Sequence, residues 1–131
     1  MKKIVLALIA LVVVITIPNM PDGIGPDPGA ANWHSGGQVS GSGTVQRVLP
    51  DDNDGSRHQR FILALSSGRT VLIAHNIDLA PRVESISSGD RVSFFGQFET
   101  NDRGGVIHWT HKDPEGRHVD GWLEHRGRRY Q

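Results

Sequence analysis

Histidine is the most abundant source of possible chemistry in this sequence. The 131-residue chain contains seven histidines and no cysteine. Neutral imidazole is the most common metal ligand in proteins, and histidine changes its charge near physiological pH. The densest stretch, HWTHKDPEGRH, supplies four candidate metal ligands: His108, His111, Asp113 and His118. Nitrogen and oxygen ligands without thiolates suit a divalent transition metal such as zinc, copper, nickel or manganese.

The spacing of these four residues argues against the simplest metal site. Side chains alternate between the two faces of a strand, so His108 and His111 point in opposite directions on a continuous strand. They converge only if the strand ends or bulges near Thr110. His111 and Asp113 can share a face, and His118 is reached through a loop. The alternative interpretation is that these histidines are loop residues or hydrogen-bond anchors at one end of a barrel.

A second polar cluster, HNIDLAPR, occupies positions 75–82. Asp78 could orient His75, which would create a catalytic acid–base pair. Equally, Asn76 and Asp78 are common turn residues, and Arg82 could pair with Asp78. The serines lie in turn-like sequence without the GxSxG pattern of a nucleophile elbow. The sequence therefore does not decide whether the protein is an enzyme.

The elements that must position these residues are short strands. Alternating segments predict strands at 39–49, 58–66, 69–76, 91–99 and 106–111. Phe61 and Leu63 face one way on the second strand, and Phe94 and Phe98 on the fourth. Residues 77–88 interrupt the pattern and predict a short helix, and residues 122–131 predict a hairpin about Arg126-Gly127. Trp109 shares the face of Ile107, which favours a core position.

This order of elements predicts an all-β fold. Five strands with a short helix between the third and fourth follow the order of the OB fold, a Greek-key barrel. An SH3-like or other small β-barrel is the alternative. The absence of cysteine excludes a disulfide framework, a thiolate zinc site and a cysteine nucleophile.

The beginning of the chain predicts export. Lys2 and Lys3 precede a mostly apolar run at 4–17, so residues 1–17 match a signal peptide. The run is shorter than the roughly 20 residues that span a bilayer, yet an uncleaved inner-membrane anchor remains the alternative. Residues 18–38 are rich in proline and glycine and predict a flexible spacer, leaving residues 39–131 as the folded domain. We expect a periplasmic or secreted protein.

Several blocks of the domain resemble a known family. They are DDNDGSRHQRFIL at 51–63, LIAHNIDLAPRV at 72–83, GDRVSFFGQFE at 89–99 and GGVIHWTHKDP at 104–114, together with a later GW and a terminal YQ. They resemble a family of small exported bacterial proteins classed as a domain of unknown function. The resemblance covers residues 39–131 and implies an OB-like barrel outside the cytoplasm. It implies no activity and no catalytic residue.

Two main functional hypotheses follow. The first is an exported binding module for an unidentified envelope or extracellular ligand, because OB barrels bind ligands across the second and third strands. Its candidate binding residues are His58, Arg60, Arg82 and Phe95, and its rim also includes the histidines of the clusters above. The second is a metal-dependent hydrolase, with phosphodiesters as one candidate substrate class, His75 as base and the four candidate metal ligands. A third possibility is a stability module without a ligand.

The charge of the chain bears on its partners. Fourteen basic residues balance fourteen acidic residues, so the net charge is zero. Nucleic-acid binding relies on a basic surface that neutralises phosphates, and it is therefore disfavoured. A membrane partner is expected only through an uncleaved segment at 4–17.

Overall fold

The structure, a computed structural model, describes residues 32–131. These residues form seven strands: β1 (Gln38–Asp52), β2 (His58–Leu65), β3 (Thr70–Asn76), β4 (Arg91–Glu99), β5 (Val106–His108), β6 (Trp122–His125) and β7 (Arg128–Tyr130). The predicted signal or anchor at 1–17 and most of the predicted spacer lie outside the described residues. Within the described part of the chain, no helix is long and apolar enough to cross a membrane.

Strands β1 to β5 close into a ring. The order is β1-β2-β3-β5-β4, and β4 pairs back with β1. All neighbours in the ring are antiparallel except β3 and β5, which are parallel. This is the five-stranded Greek-key barrel of the OB fold, so the predicted fold class is confirmed. β6 pairs with β4 outside the ring, and β7 pairs with β6, which forms the predicted C-terminal hairpin.

β1 closes the barrel because it is long and bends. Its first half pairs with β4 and its second half with β2, and the two pairings overlap at Gly43 and Thr44. A Cβ at Gly43 would lie 2.7 Å from the carbonyl oxygen of Ala64. Real Cβ atoms do not approach that closely, so glycine permits the close contact of strands at this corner.

The core fills the inside of the ring with alternate residues of each strand. On β2, Phe61, Leu63 and Leu65 are buried while the residues between them are partly exposed, and β4 follows the same alternation. Trp33 packs on the core, with its ring centroid 6.0 Å from that of Phe94 and in an edge-on arrangement. Contacts with the core therefore begin at Trp33, before the start of β1.

The segment between β3 and β4 contains no helix, contrary to the prediction. Within residues 77–90 the structure shows turns and irregular backbone. The buried side chain of Gln59 donates to the carbonyl oxygen of Val83 and accepts from its N–H, both at 2.9 Å. Val83 itself is buried among the core residues. Because a side chain satisfies both backbone groups of Val83, the segment closes this end of the barrel without a helical turn.

β5 ends at His108, earlier than the sequence predicted. The next residue, Trp109, has a φ of 53°, a left-handed conformation that a strand cannot contain. The chain changes direction at Trp109, so the alternation of buried and exposed residues in β5 does not continue beyond it. Thr110 and His111 are buried, whereas Trp109 is only partly buried. The predicted core position of Trp109 is therefore wrong.

Candidate functional site

The outer faces of β2, β3 and β5 form a groove, called here the β2–β3–β5 groove. Its central cavity has a volume of about 370 Å³. The cavity is lined by Asp52, His58, Arg60, Leu72, Ala74, Glu99, Val106 and His108. Most of these residues alternate with core residues on their strands, so the same periodicity that builds the core builds the groove on the opposite face.

The register of the strands places the groove residues in rows. Arg60 lies opposite Ala74, and Leu72 lies opposite both Ile62 on β2 and Val106 on β5. Small and apolar side chains therefore form the floor between β2 and β5. The charged and histidine side chains stand along the sides of this floor.

The groove continues beyond the central cavity at both ends. At one end, His58 and His108 also line a cavity of about 170 Å³ that reaches Trp109 and His111. At the other end, Arg60 and Leu72 also line a cavity of about 190 Å³ that reaches the loop between β4 and β5. Shared lining residues make the three cavities one elongated surface, which can accommodate an extended ligand.

Arg60 is the cation in the middle of the groove. Its Nε donates to the carbonyl oxygen of Pro50 at 3.1 Å, which orients the guanidinium. Among the described residues, no carboxylate lies within ion-pair distance of it, although Asp52 and Glu99 line the same cavity. Arg60 therefore presents a positive charge that forms no ion pair within the described residues, although it lies close enough to Asp51 to help Arg82 lower the pKa of that carboxyl.

Glu99 and His108 form the opposite side of the central cavity. Glu99 accepts hydrogen bonds from Gln97 Nε2 at 2.6 Å and Ser35 Oγ at 2.9 Å. These donors, Gln97 first, lower the pKa of the Glu99 carboxyl. His108 Nε2 lies 3.5 Å from Glu99 Oε1, which is too long for a good hydrogen bond. This buried nitrogen has no hydrogen-bond partner in the described chain.

The four predicted metal ligands do not converge. His108 faces Glu99, and His111 donates from Nδ1 to the carbonyl oxygen of Lys112 at 2.7 Å. Asp113 accepts backbone N–H groups of its own loop, including that of His118 at 2.7 Å. His118 hydrogen-bonds to Gln97 and stacks on Trp109, with ring centroids 4.0 Å apart. Across residues 32–131, no three acidic or histidine side chains are placed to hold a metal, so the hydrolase alternative is not favoured.

The predicted acid–base pair of His75 and Asp78 does not form. Asp78 accepts from the backbone and side chain of Arg57, both at 2.8 Å, and these bonds lower the pKa of its carboxyl. His75 is fully buried and contacts Thr110 Oγ1 and the carbonyl oxygen of Pro81. The two side chains thus belong to different networks.

Two of the four predicted binding residues lie in the groove and two do not. His58 and Arg60 line the central cavity. Arg82 forms an ion pair with Asp51 rather than Asp78. Phe95 lies on β4, where it faces Trp122 of β6 with ring centroids 6.2 Å apart. Strand alternation placed Phe95 outward correctly, but it could not tell which outer face of the barrel would carry the groove.

Sequence reasoning missed the residues that other elements bring to the groove. Leu72, Glu99 and Arg103 belong to β3, β4 and the β4–β5 loop. Leu72 meets β2 through the antiparallel pairing of β2 with β3, whereas Glu99 and Arg103 come to the groove through the parallel pairing of β3 with β5. The sequence feature that could have identified Arg103 was the loop NDRGG, since OB folds often use the loop between their fourth and fifth strands for binding.

The strand order and the groove on β2 and β3 define an OB-fold domain. The chain belongs to the family described as "Protein of unknown function (DUF3465)", whose model matches residues 29–131. The predicted resemblance to a domain of unknown function is thereby confirmed. No curated protein matches the chain. Among solved structures, the hypothetical protein ygiW from E. coli is similar, with 16% identity and a TM-score of 0.45, over 67% of this chain and 86% of that chain.

Proposed function

We propose that this protein is an exported OB-fold binding module of the bacterial envelope or exterior, which holds its ligand in the β2–β3–β5 groove. The observation that carries this proposal is Arg60, an oriented cation without a carboxylate partner in the described chain, at the centre of an elongated cavity. The groove lies on the second and third strands, the surface that OB folds commonly use for ligands.

The proposed location rests on the sequence. Two lysines followed by an apolar run at 4–17 are typical of an export signal. A protein that starts in this way meets envelope components or extracellular molecules. The absence of cysteine is compatible with either the periplasm or the exterior, because this domain stabilises itself through its core.

The chemistry of the groove favours a ligand other than nucleic acid. Single-stranded nucleic acids bind grooves that combine positive charge with aromatic stacking platforms. The central cavity has two carboxylates beside its arginine, and no Phe, Tyr or Trp is among the residues that line it. Carboxylates along the sides of a binding groove repel a phosphate backbone.

Backbone amide mapping by NMR tests the proposal on residues 29–131, the part of the chain that the family model matches and that contains the described core. The probes are a tetrasaccharide of N-acetylglucosamine, an octanoate ion, a hexapeptide and a ten-residue thymidine oligonucleotide. We expect at least one of the first three to shift amides of β2, β3 and β5. Arg60→Gln should weaken that binding about tenfold, because it removes a charge-assisted contact.

Phe95→Ala is the matched control, because Phe95 is outward-facing but lies against Trp122, away from the groove. It should leave the affinity unchanged. The proposal is wrong if the shifts map to the Phe95 face, if the oligonucleotide alone binds, or if none of the four probes shifts any groove amide.

A further inference from the structure

The end of the groove beside the β4–β5 loop differs from the rest in its charge. This cavity of about 190 Å³ is lined by two arginines, Arg60 and Arg103, and by polar or apolar residues. None of its lining residues is Asp, Glu or His. The central cavity, by contrast, has two carboxylates and two histidines. Positive charge is therefore concentrated at one end of the groove.

Arg60 and Arg103 form no ion pair within the described residues, a property that they share with Arg47 and Arg91. What distinguishes them is that both line the same cavity. Six others contact a carboxylate: Arg57, Arg82, Arg117, Arg126, Arg128 and Arg129. Within residues 32–131, neither Arg60 nor Arg103 has a carboxylate within ion-pair distance. Two arginines without ion pairs, in a cavity that no carboxylate lines, form a local site for an anion.

The loop that contains Arg103 is held in place by its own hydrogen bonds. Asn101 Oδ1 accepts the N–H groups of Arg103 and Gly105, both at 2.8 Å. Arg69 on the β3 side donates to the carbonyl oxygen of Gly104 at 3.1 Å. The backbone of Arg103 is therefore positioned before any ligand arrives, which lowers the entropy cost of binding.

The floor beneath the arginines is apolar. Leu49 pairs with Arg60 across β1 and β2, and Ile62 pairs with Leu72 across β2 and β3. All three apolar residues line this cavity. The floor continues through Leu72 to Val106 of the central cavity. An anion bound by the arginines would thus have an apolar surface beside it for the remainder of its molecule.

We propose that Arg60 and Arg103 bind the anionic head group, a carboxylate or a phosphate, of a ligand whose apolar body lies along Leu49, Ile62 and Leu72. This inference rests on the proposed function, because it assigns a ligand class to one end of the same groove. Guanidinium groups bind carboxylates and phosphates through paired N–H donors, and apolar surface on either side of the head group adds affinity by burial.

Isothermal titration of residues 29–131, the family-matched part of the chain, with four eight-carbon probes tests the inference. Octanoate and octyl phosphate carry the two head groups, octanol lacks charge, and octylammonium reverses it. We expect one or both anions to bind at least tenfold more tightly than octanol, and octylammonium to bind no better than octanol. The ratio of octanoate to octyl phosphate affinity distinguishes the two sources of negative charge.

Variants separate the subsite from the rest of the groove. Arg103→Gln and Arg60→Gln should each weaken binding of the preferred anion about tenfold or more. Arg91→Gln is the matched control, because Arg91 contacts Ser42 and lines none of the three groove cavities. It should change the affinity less than twofold. Thermal melting of each variant checks that the domain remains folded.

The outcomes distinguish this inference from the proposed function. If octanol binds as tightly as both anions, or if Arg103→Gln has no effect, the inference is wrong. The binding module still stands in that case if the tetrasaccharide or the hexapeptide shifts groove amides. If no probe of either set binds the groove, both proposals are wrong.

Discussion

Polar residues inside the barrel and polar residues in the groove outside it differ in how their hydrogen-bonding and charged groups are paired, although both come from the same strands. Gln59 and His75 point into one end of the barrel, whereas His58 and Arg60, on either side of Gln59, point into the groove. Inside, each polar side chain finds its partners in the protein. Outside, Arg60 lacks a carboxylate and His108 Nε2 lacks an acceptor within the described residues. The interior polar groups are therefore bonded within the protein, whereas some of the groove polar groups have no such partner, which is the contrast on which the proposed binding site rests.

The interior network determines the chemical state of His75. Its Nε2 faces the carbonyl oxygen of Pro81 at 2.9 Å, which accepts only, so Nε2 carries the proton. Its Nδ1 then accepts from Thr110 Oγ1 at 2.7 Å. Burial favours this neutral form and lowers the pKa of His75 to about 4. A neutral, fully bonded histidine in a core is a structural residue, and no part of it reaches the groove.

Removing the His75 ring should produce the largest loss of stability. His75→Ala leaves a cavity and two unpaired polar groups, so we expect a loss of about 3 kcal/mol or more in the free energy of unfolding. The matched control is His108→Ala, in the groove, which should cost less than about 1 kcal/mol. Urea titration followed by tryptophan fluorescence measures both. Equal losses for the two variants would contradict the contrast between interior and groove.

Acidification should destabilise the domain through the same residue. The unfolded chain binds a proton on this histidine below about pH 6.5, whereas the folded state resists protonation until about pH 4. The contribution of His75 to the free energy of unfolding is therefore fully present above pH 6.5. It decreases as the pH falls toward 4, by about 3 kcal/mol in total.

The control for this pH dependence is His75→Gln, which cannot titrate. Urea midpoints at pH 7.5, 6.5, 5.5 and 4.5 should fall less steeply for this variant than for the unaltered domain. The carboxyl groups with lowered pKa values, such as Asp90 beside His125, lose their contribution at lower pH than the histidine window. Parallel curves for the two proteins would contradict the assignment to His75.

Loss of the Gln59 side-chain bonds should have a smaller effect. Gln59→Leu leaves the N–H and carbonyl of Val83 without partners, and we expect a cost of about 2 kcal/mol. Gln46→Leu, on the exposed side of β1, is the matched control and should change stability by less than about 0.5 kcal/mol. Hydrogen exchange should accelerate at Val83 in the first variant only. Unchanged exchange there would show that Gln59 does not hold the segment.

Much of the barrel could be predicted because strands have a period of two. That period placed Phe61 and Phe94 inside and Arg60 and Phe95 outside, as observed. The prediction of a helix between β3 and β4 was wrong. The backbone of this segment is held at Val83 by the side chain of Gln59, which lies 24 positions away in the sequence. No local pattern contains that contact.

The candidate site was predictable only in part for the same reason. Strand alternation identified His58 and Arg60 as outward residues. It could not identify Arg103, because a loop of the fourth and fifth strands brings that residue to the groove. It also could not anticipate the left-handed turn at Trp109, which separates the predicted metal ligands.

The sequence by itself determined the strands, the faces that they bury and the neutrality of the chain, because these depend on residue type and on spacing along one strand. Only the tertiary structure decided which polar residues would be satisfied and which would remain open to a ligand. That decision depends on contacts between strands distant in sequence. The parallel pairing of β3 with β5 creates the groove floor, and the buried bonds of His75 remove it from any role there.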